Sequence, residues 1–158
     1  MTPSTPPQST APGVQTFSDN DLCGLIEADL NRLTGTLFVI GHFFEGAEEA
    51  ESLVAQERLM SMIQHAAKVA DRVVTYSQHG ANLIPGTAQT EVMQAAGILA
   101  SLDVMTATAD RHSHASDAVM SSTIDAARDC VDRAIALMSP DSAEGVRYRG
   151  MLELEARH

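Results

Sequence analysis

Six polar side chains between residues 58 and 75 fall at steps of three and four: Arg58, Ser61, His65, Lys68, Arg72 and Thr75. On a helix that spacing draws one stripe, with an imidazole beside the only lysine of the chain and two of its arginines. Local basicity of this kind can hold a phosphoryl group or meet an acidic partner surface. Arg58, His65, Lys68 and Arg72 are the expected interaction face. The bland alternative is a solvated helix face.

A second cluster, Asp110, His112, His114 and Asp117, offers imidazole and carboxylate, both proper ligands for zinc or similar ions. Helical di-metal bundles, however, use Glu-x-x-His pairs projecting inward from facing helices, and the chain has no such pair. The expectation here is an ordinary polar link, with no metal and no cofactor. Cys23 occupies an apolar seam and Cys130 adjoins one, so both read as small core residues and not as activated nucleophiles. The glycines form no phosphate-cradling loop, and no complete catalytic motif appears. His42 reads as a favourable partner for the negative end of a helix dipole. Phe38, Phe43, Phe44, Met60, Met62 and Met93 read as core packing before they read as a ligand pocket. Glu45, Glu48, Glu49 and Glu51 form an acidic patch, either a solvated helix start or a docking surface for a basic partner.

These residues need helices to position them, and the apolar pattern supplies four. The first seam, Cys23, Ile26, Leu30, Leu33, Leu37, Ile40 and Phe44, runs without a miss. Ser18 and Asp21 signal its start, with Phe17 able to staple onto Leu22, and Gly46 its break. The second helix carries Ala55, Leu59, Met62, Ala66, Val69, Val73 and Tyr76 and stops in His79 to Thr87, where Gly80, Asn82, Pro85 and Gly86 force a turn. Thr87 is the expected cap of a third helix, which buries Val92, Ala95, Leu99 and Leu102. The link from Asp110 to Ser116 leads to a fourth, with Met120, Ile124, Ala127, Val131, Ala134 and Met138. Pro140 ends it, and Asp141 with Glu144 resembles a cap for a short terminal helix that Gly145 and Gly150 weaken. Short links favour antiparallel neighbours. The expected fold is all-α, an antiparallel four-helix bundle over residues 18–139. A disordered leader over residues 1–17 precedes it, and a short C-terminal helix or tail over 140–158 follows. The first two helices are expected to supply the bulky half of the core and the alanine-rich third and fourth a thinner half.

With that fold in hand, the pair His65 and Lys68 resembles the reactive site of histidine phosphotransfer domains. Those are four-helix bundles with an exposed histidine mid-helix and a lysine three residues on. The resemblance implies that His65 accepts a phosphoryl group from a receiver domain. The family normally places glycine after the lysine, where this chain has Val69, itself a seam residue.

With 158 residues the chain makes about one domain. Twenty-one acidic against ten basic side chains give a net charge of −11, which argues against nucleic acid and anionic membranes as partners. No apolar run is long enough to cross a bilayer and no secretory signal pattern is present, so a cytoplasmic protein is expected. Arginine-rich, alanine-rich composition points to a bacterial gene. The leader, uncharged with four prolines, also looks like the export signals of type III secretion substrates. The functional expectation is a non-enzymatic bacterial interaction or regulatory protein with an unidentified protein partner and scope for homodimerisation. Phosphotransfer through His65 is the alternative, and an exported secretion substrate the third reading.

Overall fold

A computed structural model of the chain describes residues 17–45, 53–79, 82–108 and 117–157. It is all-α among these residues, with α1 (Asp19–Glu45), α2 (Leu53–Gln78), α3 (Gly86–Thr108), α4 (Asp117–Met138) and α5 (Ala143–Glu155). The first four pack as a ring in which α1 meets α2 and α4, while α3 meets α2 and α4; α5 adds onto α4 alone. Cross-helix bonds fix the directions. The start of α1 meets the end of α2 through Asp29 and Arg72, and the start of α3 meets the end of α4 through Glu91 and Arg133. The bundle is therefore antiparallel throughout, as the short links require.

The core follows the periodicity that makes the helices. Ile26, Leu30, Leu33, Leu37 and Ile40 of α1 are each 0 or 1% exposed, and each such side chain contributes about 1.5–3 kcal/mol by leaving water. Opposite them lie Ile63, Ala66, Val69, Ala70 and Val73 of α2, Val92, Ala95, Leu99 and Leu102 of α3, and Ile124, Ala127, Val131 and Ala134 of α4. The expected split between a bulky first half and a thinner second half is seen in the buried residues: α1 and α2 bury mostly large side chains, with alanine only at Ala66 and Ala70, whereas α3 and α4 bury Ala88, Ala95, Ala127, Ala134 and Ala136 beside fewer large ones. Within the first half, α1 presents the unrelieved row of large side chains.

Capping explains the element boundaries. Ser18 and Asp21 form a reciprocal box: the Asp21 amide donates to Ser18 Oγ at 3.2 Å, and Asp21 Oδ2 accepts from the Ser18 amide at 3.1 Å and its hydroxyl at 2.6 Å. The two bonds hold the Asp21 carboxyl below its ordinary value of 3.8. Leu22 is buried, whereas Phe17 remains half exposed. Between α2 and α3, Asn82 takes a positive φ of 66°, a conformation that asparagine tolerates in turns. The Cys23 thiol donates to Leu83 O at 3.3 Å and ties this turn to the start of α1.

Two expected caps are corrected. α3 opens at Gly86, with the Gln89 amide on Pro85 O, so Thr87 lies inside the first turn. Ser142, not Asp141, caps α5, accepting the Gly145 amide at 3.0 Å. Gly145 is also more than a weak helix former: a Cβ there would lie 2.5 Å from Ser139 O and 2.6 Å from Pro140 O. Its missing side chain lets α5 fold back tightly on the end of α4. Residues 1–16, the Gly46 break and the link from Asp110 to Ser116 lie outside the described residues.

Candidate functional site

The outer line of α2 starts from Ser61, His65 and Lys68, all exposed, with Arg58 one turn before and Thr75 further on. Val69, Ala66, Ala70 and Val73 pull the opposite side of the helix into the core, and this fixes the polar line in solvent by helical geometry alone. Arg58, His65 and Lys68 make no ion pair or hydrogen bond through their side chains among the described residues. Glu57 and Asp71, also exposed, flank the line on the same helix.

Arg72 is placed differently from its neighbours in the sequence pattern. Its Nε donates to Asp29 Oδ2 at 2.6 Å and its NH2 to Asp29 Oδ1 at 2.7 Å. The hydrogen bonds to Asp29, then its charge, raise the already high guanidinium pKa. Arg32 adds a third donor to Asp29 at 3.2 Å from the same helix. Arg72 thus joins α2 to α1, and the line open to a partner narrows to Arg58, His65 and Lys68.

Two other polar clusters tie the helices together. Between α3 and α4, Arg133 Nε donates to Glu91 Oε2 at 3.0 Å and its NH2 to Cys130 Sγ at 3.2 Å. Burial disfavours the Arg133 cation, but the bond and charge of Glu91 outweigh it and raise its pKa. Burial pushes the Cys130 thiol up, only partly offset by Arg133, so this cysteine is held protonated and inert. Between α1 and α4, Thr34 Oγ1 donates to Asp132 Oδ1 at 3.3 Å and Arg128 lies 3.9 Å from Asp132 Oδ2. Desolvation nonetheless raises the Asp132 pKa. Asp103 Oδ1 in α3 is buried and has no hydrogen-bond partner among the described residues.

The aromatic and methionine residues divide. Phe44 and Met62 pack against the core. Phe38 and Met93, expected inside, are about half exposed at 48% and 52%. They project from the outer faces of α1 and α3, positions that residue type alone does not distinguish from seam positions. Phe38 is held by polar neighbours instead, stacking on His42 at 5.0 Å with the Arg128 guanidinium 5.3 Å from its ring centre. An open cleft of about 190 Å³ lies between the start of α1 and the end of α4, lined by Glu27, Leu30, Asn31, Ile135, Met138, Ser139 and Ser142. None of the sequence-derived site residues lines it. Asp110, His112 and His114 lie outside the described residues, as do Glu48, Glu49 and Glu51, and of Asp117 only its place at the start of α4 is described.

No family model matches the chain, and neither the curated proteins nor the solved structures include a significant match. What the fold defines is an antiparallel four-helix bundle with a fifth helix appended. No described helix is long and apolar enough to cross a membrane.

Proposed function

We propose that the protein is a non-enzymatic bacterial interaction protein that engages an acidic surface of a protein partner through the outer face of α2. The observation that supports this reading is the line Arg58, His65 and Lys68, exposed and without intramolecular partners among the described residues of a chain with net charge −11. Cations left in solvent on an acidic protein are available to steer and orient a negatively charged partner, an effect that weakens as salt rises. The direct test is affinity capture from the source organism's lysate with wild type and with Arg58→Glu/Lys68→Glu. A partner retained by wild type at low salt, and lost both with the double variant and at high salt, supports the reading. Equal retention by both forms defeats it.

Phosphotransfer through His65 is a second reading, favoured by one observation: the imidazole stands exposed in the middle of α2 with Lys68 one turn on. Val69 opposes it, being 1% exposed in the core where the resembling family carries glycine. Incubation with a phosphorylated receiver domain should label wild type and spare His65→Gln if this reading holds. Absence of label on wild type removes it.

A further inference from the structure

The Asp29 and Arg72 pair sets two lines of side chains next to each other. From Asp29, steps of three and four along α1 lead to Arg32, Thr36, Val39 and Phe43. From Arg72, steps of four and three back along α2 lead to Lys68, His65, Ser61 and Arg58. Such steps keep each line on one side of its helix. Because α1 and α2 are antiparallel, both lines run the same way from the pair, each for about 21 Å. Neither line carries an exposed acid: residues 30–44 of α1 and 58–70 of α2 contain no Asp or Glu, in a chain with 21 of them. The one carboxylate, Asp29, is buried and shared between Arg72 and Arg32. Arg32 gives it a single bond at 3.2 Å and is 55% exposed, so its guanidinium, with five N–H donors, keeps capacity for a second anion. Arg58, His65 and Lys68 are exposed. The α1 line turns apolar further along. Val39 is 52% exposed, and Phe43 is half-buried, set edge-on to Phe44 with 6.2 Å between ring centres, while Phe44 itself packs on the core.

We infer that the groove between these two lines docks an acidic amphipathic helix of a protein partner, its carboxylates on Arg32 and the cations of α2 and its apolar stripe on Val39 and Phe43. This rests on the α2 face meeting an acidic partner, and adds to that face a second wall and the form of the ligand. Charge selects the sign of the partner: Arg32, Arg58, Lys68 and Arg72 stand around one carboxylate that Arg72 alone already neutralises, so an acidic segment finds complementary potential along the whole groove. The backbone selects its form. An extended segment would bring unpaired N–H and C=O groups, and the described residues are all helical and offer no strand edge to pair them, whereas a helix satisfies its own. A groove of about 21 Å holds about four turns of such a helix. The difference between the walls sets its pattern, because cations line α2 from end to end while exposed apolar surface lies on α1. Acids and apolar residues on adjacent stripes match both walls at once.

Fluorescence anisotropy of the full chain with a labelled helical peptide of about five turns tests this. The peptide carries Glu along one stripe and Leu along the adjacent one, and a second peptide of the same composition scatters both around the helix. Wild type should bind the striped peptide at least about tenfold more tightly than the scattered one at about 0.05 M salt, and should lose about tenfold in affinity by about 0.5 M. Arg32→Gln leaves Asp29 its two bonds to Arg72, and Val39→Ser changes an exposed position; each should weaken the striped peptide about three- to tenfold. Val39→Ser decides the matter should Arg32→Gln lower the helical circular dichroism. Arg147→Gln, which removes an equal charge on exposed α5, should change binding less than about twofold. Equal binding of the two peptides overturns the inference, as does a wild type that binds neither or binding indifferent to both α1 substitutions. Self-association of the free chain that Arg32→Gln abolishes would make a second copy the occupant and overturn it too. Loss of binding in Arg58→Glu/Lys68→Glu with both α1 variants unaffected removes the groove and leaves the α2 face standing, whereas full binding by that double variant removes both.

Discussion

Asp29 and Arg72, 43 residues apart, meet side by side, with two hydrogen bonds of 2.6 and 2.7 Å between one carboxylate and one guanidinium. The Asp29 side chain is 8% exposed while that of Arg72 is 41% exposed, so the acid is the buried partner and the arginine reaches in to it from the rim. A carboxylate withdrawn from water this far needs its cation, whereas the cation, half in solvent, does not need the acid.

The two single substitutions should therefore be unequal. Arg72→Ala leaves Asp29 with Arg32 alone and should destabilise the protein by about 2–3 kcal/mol. Asp29→Asn with Arg72 intact should do less, because the arginine can return to water. A double-mutant cycle in denaturant measures the coupling, and two equal small losses would show that the pair contributes little.

Gly145 and Gly150 share α5 and should respond in opposite ways. Gly145→Ala drives a methyl group onto the carbonyl oxygens of Ser139 and Pro140 and should destabilise the docking of α5 by about 1–3 kcal/mol. Loss of helicity and new protease cleavage after residue 140 would follow, with the four ring helices intact. Gly150→Ala meets nothing within 4 Å and should stabilise the helix by up to about 1 kcal/mol. Equal effects from the two would mean that α5 does not pack as described.

Asp132 and Asp21 give stability opposite slopes with pH. Desolvation raises the folded pKa of Asp132, so between the ordinary value of 3.8 and that raised value the folded state binds more protons than the unfolded, and stability falls as pH rises. Asp21, lowered by its bonds to Ser18, contributes stability that is complete above 3.8 and is lost as pH falls through its folded value. Subtracting the unfolding midpoints of Asp132→Asn from those of wild type between pH 4 and pH 7 isolates the first term. The variant, still able to accept from Thr34, should gain on wild type as pH rises; parallel profiles would contradict the assignment.

The seams were legible because each repeats without interruption over several turns, and for this reason Ile26 to Ile40, Val92 to Leu102 and Ile124 to Ala134 all point inward as their spacing requires. The α1 cap was legible too, since Ser18 and Asp21 are local to one another. What spacing could not show were choices made between helices. Arg72 belongs to the polar line of α2 by period, but Asp29 lies on another helix, and only the packing of α1 on α2 brings them together. The Glu91 and Arg133 pair was hidden for the same reason. Met93 and Phe38 misled because their type suggests burial while their phase points outward.

The Cys23 bond to Leu83 places the α2–α3 turn at the same end of the bundle as the start of α1. The end of α4 reaches that end too, across the cleft that joins Glu27 and Leu30 to Ile135 and Met138. The helical ring therefore begins and finishes side by side, and a covalent link from the end of α4 to the start of α1 would span a short gap. Cutting the chain at the α2–α3 turn instead would keep all four interhelical seams. A circular permutant of the four-helix ring in that order, beginning with α3, ending with α2 and omitting α5, should keep the same helix packing.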